Sequence, residues 1–428
     1  MTAGCGFSPR MKILVVGKGG REHALVRALA DAPGKSELFC FPGSDAIGAL
    51  AGIIAVDGMD GLLGWIDRER PDLVVAGEEA WLVKDEGLAN ACERMGVPCW
   101  GPHKASAQLE ASKEFAKQFM VRHGIPTGGY AAVNTRGEAV AAIGGKYPTV
   151  LKFDGLAAGK GVAVCPDEAS AGAFLDTVFT RRQFGDGRVL VEEFLTGPEI
   201  SIFASVCDGN YHILCPARDY KRLGNGDAGP NTGGMGAVAG RGLIDQETLG
   251  EIERTIVLPT VRGLIQDGLP YRGFLYFGIM LTPDGPKILE YNCRFGDPEC
   301  QAVMPLVSGD FPRYCLHGAT GKLEPSLMEF SDGWSVGVVL ASAGYPESSR
   351  NGDVIHGLES VRPETRVYHA GTKRTADGGF ATHGGRVLAV VATGASRDEA
   401  VALAHAEAAK VTFDGAQRRN DIGIAGFA

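Results

Sequence analysis

Residues 150–164, VLKFDGLAAGKGVAV, set Lys152, Asp154 and Lys160 among glycines between two short apolar runs. Cations beside glycines whose backbone can fold closely over an anion suit phosphate chemistry. The spacing is not a Walker A loop, which needs G-x-x-x-x-G-K-[ST] so that its hydroxyl can hold Mg²⁺. Here three residues separate Gly155 from Gly159, and Gly161 stands where the hydroxyl belongs. Read alone, the loop is either a structural hairpin or a phosphate lid of another geometry. Lys113, on the preceding helix, is a third cation.

Three further segments have chemical potential. GKGGREHA begins like a dinucleotide fingerprint at Gly17 and Gly19, but Glu22 takes the place of the third glycine. Pro42–Gly43 stands where a ribose-binding acid would end the second strand, which argues against an NAD site. The N–H groups of Gly19, Gly20 and Arg21 at a helix start still suit a phosphorylated small molecule, and a tight strand–helix turn is the alternative. VLVEEFLTGPEISI reads as a sheet-edge segment ending in Glu192–Glu193–Phe194–Leu195, with Glu199 beyond it. Free backbone there can recognise an adenine edge, and a carboxylate can accept from ribose hydroxyls; a solvated charge pair is the alternative. In KILEYNCRFGDPE, Glu290 and Asn292 alternate on a strand and so share a face. Two oxygen ligands completed by phosphate oxygens and water suit Mg²⁺. Arg294 can clamp a carboxylate through its fork, and Asp297 follows in a turn. Ordinary polar strand-end residues are the alternative.

The elements around these segments define the fold class. KILVVG (12–17), ELFCF, GIIAV and DLVVAG are short strands alternating with helical stretches at 18–32, 59–70 and 82–95. That alternation specifies an open parallel sheet, an α/β domain over 11–112. A helix over 109–124 leads into an α+β domain over 113–328, with a lid lobe at about 128–198. Its strands are expected near 129–133, on both sides of the glycine loop, and at 188–194, 200–207, 210–216, 273–281 and 286–291, with a helix at 245–267. The stretch ARDYKRLGNGDAGPNTGGMGA is too glycine-rich for regular structure and too long to be idle. A small β-rich C-terminal domain over 329–428 has strands in WSVGVVLAS, RVYHAGTK and GGRVLAVVA and a helix at 397–411.

Composition narrows the function classes. A chain of 428 residues with 45% hydrophobic and 22% charged residues is globular and holds several domains. Its net charge of −9, with no basic block, argues against nucleic-acid or membrane-surface partners. The ten cysteines show no C-x-x-C pair, as expected for reduced thiols in the cytoplasm. No apolar run approaches the roughly 18 residues of a membrane span. MTAGCGFSPR, residues 1–10, lacks an apolar core and reads as an extension rather than a secretory signal.

Taken in order, the chemical segments resemble the ATP-grasp superfamily and, within it, the phosphoribosylamine–glycine ligase family. The resemblance is carried by GGREHA, AQLEASKEFAKQF, DGLAAGKGV, EEFLTGPE, GPNTGGMGA, GFLYFGIM, EYNCRFGDPE, GDVIHGL and YHAGTK, across residues 11 to about 422. It implies ATP held between two lobes, with the glycine loop of Asp154, Gly155, Gly159, Lys160 and Gly161 closing over the phosphates. Lys113 and Lys152 match phosphate-binding lysines, Glu192 to Leu195 an adenine-binding hinge, Glu199 a ribose acid, and Glu290 and Asn292 ligands for Mg²⁺ or Mn²⁺. Asp219 and Lys221 of ARDYKR join Arg294 as catalytic residues. Gly19, Gly20, Arg21, Glu22, Gly43, Asn231, Thr232, Gly233 and Asp297 match substrate positions. The chain departs from the family at GEEAWLV, where GPEAPLV is usual, putting Glu78 and Trp81 near the amine substrate.

The implied reaction joins glycine to 5-phosphoribosylamine through glycyl phosphate, with ATP becoming ADP and phosphate. It needs no protein nucleophile, and no Ser-His-Asp or Cys-His arrangement is visible. His23 and His212 read as packing or polar-surface residues rather than general bases. A monomer with this single activity is expected. A sister ATP-grasp ligase and a nucleotide-binding regulator are the alternatives; the Glu290–Asn292–Arg294 trio speaks against the regulator.

Overall fold

The computed structural model of the chain describes residues 10–155, 161–424 and 426. Gly159, Lys160 and residues 1–9 of the extension lie outside the described residues. Among the described residues no helix is long and apolar enough to cross a membrane.

Ile13 to Val16 are fully buried in β1 (Lys12–Gly17), because a strand covered on both faces requires a continuous apolar run. With β2 (Glu37–Pro42), β3 (Gly52–Ile53), β4 (Leu73–Ala76) and β5 (Cys99–Trp100) it forms a parallel sheet in the order β3-β2-β1-β4-β5. Helices Gly20–Asp31 and Gly58–Glu69 connect its strands. The helix expected over 82–95 is two, Ala80–Val83 and Leu88–Met95, because Gly87 at φ +84 turns the chain between them. The expected 109–124 helix also breaks. Ser112 is extended between Gln108–Ala111 and Lys113–Arg122, and its hydroxyl oxygen accepts from Phe115 N at 3.1 Å to cap the second helix.

The lid lobe is an antiparallel sheet of β6 (Tyr130–Val133), β7 (Thr149–Phe153), β8 (Val162–Cys165) and β9 (Val189–Glu193), in the order β6-β9-β7-β8. Leu151, Phe153, Val189 and Val191 pack under helices Arg136–Ile143 and Glu168–Leu175. The stretch expected as a sheet edge is therefore interior: β9 pairs with β6 on one side and β7 on the other. Two acids suggested a solvated edge, but the Glu192 side chain turns inward onto lysines. The ladder stops at Glu193, ahead of Phe194 and Leu195.

The third sheet has nine strands and runs through two of the expected domains. It contains β10 (Glu199–Cys207), β11 (Ala217–Asp219), β12 (Gly236–Ala239), β13 (Arg272–Thr282) and β14 (Gly285–Asn292). From the C-terminal unit come β15 (Trp334–Ala341), β16 (Arg366–His369) and β17 (Arg386–Gly394). The order is β14-β13-β10-β11-β12-β15-β17-β16, with Asn210–Ile213 paired off β10. The stretch expected to lack regular structure is thus partly sheet. It contributes β11 and β12 and, between them, a hairpin of Arg222–Gly224 and Ala228–Asn231. Its glycines serve the turns, as at Gly234 with φ +110, and the short strands between them carry too few apolar residues to announce themselves. The 245–267 helix contains a wider π turn, Glu253–Val257, immediately before Leu258 and Pro259, where the ring nitrogen has no proton to donate.

Candidate active site

One wall of the cleft between the lid lobe and the large sheet is built from lysines. Lys113 opens its helix and donates from Nζ to Gly155 O at 2.9 Å. Asp154 accepts from Lys113 N at 2.6 Å and from Ser112 Oγ at 3.3 Å, so it caps that helix from the lid strand. Lys152 Nζ lies 3.2 Å from Glu192 Oε2 and donates to Leu289 O at 3.1 Å. That carbonyl is offered because the β13–β14 register slips between Gly278 and Ile279, leaving Leu289 in a bulge. Lys117 reaches the same Glu192 oxygen at 2.9 Å and Thr127 Oγ1 at 2.8 Å. Burial pulls the Lys113 and Lys117 ammonium groups below their ordinary range, despite Glu290 beside the first and Glu192 beside the second. Oε1 of Glu192 is buried and accepts no hydrogen bond among the described residues.

The opposite wall is acidic. Glu199, at the start of β10, meets Lys221 Nζ, and Glu290 Oε1 lies 3.9 Å from the same ammonium. Burial disfavours the Glu290 carboxylate, but Lys221, Lys152, Lys113 and Arg294 outweigh it and hold the group below the usual range. Asp219 is driven the other way, well above that range, by burial and by Glu299, Glu199 and Glu290, with Lys221 opposing. Glu299 is buried, accepts from Ser201 Oγ at 3.0 Å and is likewise raised by burial. Two carboxyl groups of one cleft are thus pushed apart, Asp219 toward the neutral acid and Glu290 toward the anion.

Glu290 and Asn292 share a strand face, while Tyr291 between them is buried with its hydroxyl 2.8 Å from Thr260 Oγ1. The hydrogen-bond network orients Asn292 so that its amide nitrogen donates to Glu110 Oε1 at 3.2 Å and Tyr291 O at 3.0 Å. An ionised carboxylate with an amide oxygen two residues on fits a hard divalent cation. Among the described residues no group of three or more His, Cys, Asp or Glu could hold a metal ion, so further ligands would come from the substrate and water.

The third side comes from the parallel sheet, at the carboxyl ends of its strands where ligands gather in open α/β sheets. Gly19 N donates to Glu22 Oε2 at 2.7 Å, and Glu22 Oε1 takes Arg21 Nε at 2.6 Å. Arg21 Nη2 lies 3.5 Å from Glu79 Oε2 and its Nη1 donates to Phe295 O at 3.2 Å. Arg294 is not an idle clamp: Nε donates to Glu79 Oε2 at 3.0 Å, Nη2 lies 2.5 Å from Glu110 Oε1 and Nη1 donates to Phe295 O at 3.1 Å. Although burial opposes it, Arg294 and Arg21 hold Glu79 down at about 2. Burial and the Glu79 charge lift Glu110 to about 7 against the pull of Arg294. Trp81 Nε1 donates to Glu78 Oε2 at 3.3 Å, which ties together the two positions that depart from the family pattern.

Arg386 on β17 closes this corner. It donates from Nη1 to Gly233 O at 2.5 Å and to Asp297 O at 2.6 Å, and its Nη2 lies 3.2 Å from Asp297 Oδ1. Thr232 donates from N and Oγ1 to Lys221 O at 2.7 and 2.8 Å, and Asn231 pairs with Arg222 in the hairpin. A Cβ on Gly19 would stand 3.1 Å from Glu22 Oε2, and one on Gly20 only 2.6 Å from Gln301 Nε2. Gly43 donates to Gly17 O at 3.1 Å, at the ends of β1 and β2. Gly161 O accepts from Phe153 N at 2.7 Å, and Glu193 Oε2 accepts from Gly129 N at 3.0 Å at the exposed end of β9. His23 is buried, its Nδ1 accepting from His369 N at 3.0 Å, and His212 Nδ1 lies 3.0 Å from Tyr314 Oη. Sequence reading missed Lys117, Glu79, Glu110, Glu299 and Arg386. Lys117 alone carried a signal, lying one helical turn from Lys113 on the same face.

The chain matches known proteins over nearly its whole length. Three stretches match the domains described as Phosphoribosylglycinamide synthetase, N domain (residues 11–110), ATP-grasp (A) domain (111–300) and C domain (335–425). The chain is 44% identical over 417 residues to a phosphoribosylamine–glycine ligase of Caldanaerobacter subterraneus subsp. tengcongensis, covering 96% of this chain and 99% of that one. Another so named, from Allochromatium vinosum, is 43% identical over 96% of this chain and 98% of its own. The crystal structure of phosphoribosylamine–glycine ligase from Thermotoga maritima superposes with a TM-score of 0.83 at 36% identity, covering 96% of this chain and 99% of that chain. A biotin carboxylase domain from Hydrogenobacter thermophilus, in complex with MgADP, shares the fold at a TM-score of 0.72 and 17% identity, over 96% of this chain and 92% of that chain.

Proposed function

The chain belongs to the phosphoribosylglycinamide synthetase family, and on that footing we propose that it joins glycine to 5-phosphoribosylamine in purine biosynthesis. ATP is the co-substrate and becomes ADP and phosphate. The observation that carries the reading is Glu290 on the large sheet facing Lys113 and Lys152 across one cleft, with Lys221 beside it on its own wall. Lys113 and Lys152 take the phosphates of ATP. The Phe194–Leu195 backbone, beyond the end of the β9 ladder, takes the adenine edge, and Glu199 the ribose. Glu290 and Asn292 would hold Mg²⁺ or Mn²⁺, which when bound supplies neutralisation of charge on the transferring phosphoryl group.

Glycine's carboxylate is a poor electrophile, so its oxygen first attacks the γ-phosphorus, giving glycyl phosphate and ADP. The amine of phosphoribosylamine then attacks the acyl carbon, the amide forms and phosphate leaves. Lys221 and Asp219 stand beside the acyl group, and catalysis is positioning and charge neutralisation. Arg294 meets the glycine carboxylate by exchanging Glu110, whose carboxyl burial pushes toward the neutral form. Gly19 to Glu22, Gly43, Asn231 to Gly233 and Asp297 receive the phosphoribosylamine.

Glycine labelled with ¹⁸O in both carboxylate oxygens tests the order of events. One label should appear in inorganic phosphate and one should stay in the amide, with ADP as the nucleotide product. AMP with pyrophosphate, or unlabelled phosphate, would overturn the acyl-phosphate route. Absence of glycine-dependent ADP release, with phosphoribosylamine generated in situ, would overturn the reaction itself.

A further inference from the structure

Arg419, in the RRND stretch near the C-terminus, has no solvent exposure, an expensive place for a guanidinium unless its charge and donors are met. They are met from two directions. Nε and Nη2 donate to Asp421 Oδ1 and Oδ2 at 2.7 and 2.8 Å, a two-bond fork. Nη1 donates to Asp227 Oδ1 at 2.7 Å and to Arg222 O at 3.2 Å, both on the hairpin that follows Lys221. The guanidinium also lies over the Tyr220 ring, 5.0 Å from its centroid. Neighbouring contacts extend the attachment: Gly226 N donates to Asp421 Oδ2 at 2.8 Å, Asn420 N to Asn225 Oδ1 at 2.9 Å and Gly423 N to Tyr220 Oη at 3.0 Å.

These contacts all fall behind the strand that furnishes the acidic wall. Side chains alternate along Asp219–Tyr220–Lys221, so Asp219 and Lys221 enter the cleft while Tyr220 faces the C-terminal segment. An apolar residue could fill the volume of Arg419, but only directional donors fix where the hairpin sits. We propose that Arg419 is a positioning residue for Lys221, holding the Asp219–Lys221 strand and its hairpin in register with Glu199 and Glu290 through Tyr220, Arg222 and Asp227.

The inference rests on the ligase reading above. It is tested by steady-state kinetics and ADP titration of the full-length enzyme, Arg419→Lys and Asp227→Asn, with thermal melts of each. Lysine keeps the charge but loses the fork, so kcat should fall by about 10-fold or more. Asp227→Asn, at a side chain 59% exposed, cuts only the tie to the hairpin and should lower kcat by a smaller factor. ADP affinity and the ATP KM should stay within about 2-fold, because the lysine wall is untouched. If Arg419→Lys fails to fold, Asp227→Asn decides alone. Wild-type kcat in the folded variants, or loss of ADP affinity in step with kcat, would overturn the proposal. A wild-type enzyme without glycine-dependent turnover would instead overturn the ligase reading.

Discussion

The two walls of the cleft carry opposite charge and are built by opposite means. On the lid side Lys117 and Lys152 meet Glu192 as their buried acid beside Lys113, and burial lowers two of the three ammonium groups. On the large sheet Asp219, Glu199 and Glu290 surround Lys221, with Glu299 from the helix Glu299–Val303 nearby, and burial raises two of the four carboxyls. The lysine wall is in excess for a polyanion that arrives from solution. The acidic wall is in excess for a cation, yet it limits its own charge by pushing the Asp219 carboxyl toward the neutral acid. Each wall is incomplete without what the other side's ligand brings.

Breaking the acidic wall at its anion should have the largest effect. Glu290→Gln is expected to leave the fold intact and lower kcat by ~10²-fold or more at ordinary Mg²⁺, since it removes charge from the cation site. Wild-type turnover in the folded variant would end that assignment. Breaking the lysine wall is milder. Lys152→Met should raise the ATP KM by about 10-fold, the loss of one charge-assisted contact, and leave the glycine KM nearly unchanged. An equal rise in both constants would show that the walls do not divide the substrates.

The acidic wall can also be probed through stability. A carboxyl raised in the fold binds its proton more tightly than in the unfolded chain, so its burial costs stability at pH values above the unfolded pKa. Asp219→Asn should therefore raise the melting temperature at pH 7 by about 1–3 °C while lowering turnover. An unchanged or lower melting temperature would contradict an Asp219 carboxyl raised by its burial. The smallest effect is expected outside both walls. Burial holds His23 at about 4 and His369 at about 3, so both are neutral in the fold. The unfolded chain gains those protons below about pH 6.5, so their contribution is complete above that value and declines as pH falls toward 4. His23→Gln should flatten the melting temperature against pH between 6.5 and 4, and an unchanged slope would remove His23 from the account.

What could be read from sequence was local. Continuous apolar runs identified β1 and β4, and alternation placed Glu290 and Asn292 on one face, because strand periodicity needs no partner to be seen. The partners that retune those residues come from far along the chain. Arg294 is occupied by Glu79, 215 residues away, and by Glu110, and neither acid carries a local mark of that role. Glu192 looked solvated because two adjacent acids usually are, while the lysines that bury it come from a helix and another strand. The hairpin at Arg222–Asn231 was hidden by the glycines that make its turns possible.

The junction of β12 and β15 sets a timetable for synthesis. Gly236 pairs with Val338 and Ala239 with Ser335, so β12 emerges from the ribosome some 100 residues ahead of the strand that covers it, about 5–20 s at ordinary elongation rates. For that interval a short, fully apolar edge has open backbone donors and acceptors, the state in which sheets recruit the wrong neighbour. The last quarter of the chain is therefore what lets the large sheet finish folding, and a nascent chain stalled before residue 330 should be a substrate for chaperones rather than a working half-enzyme.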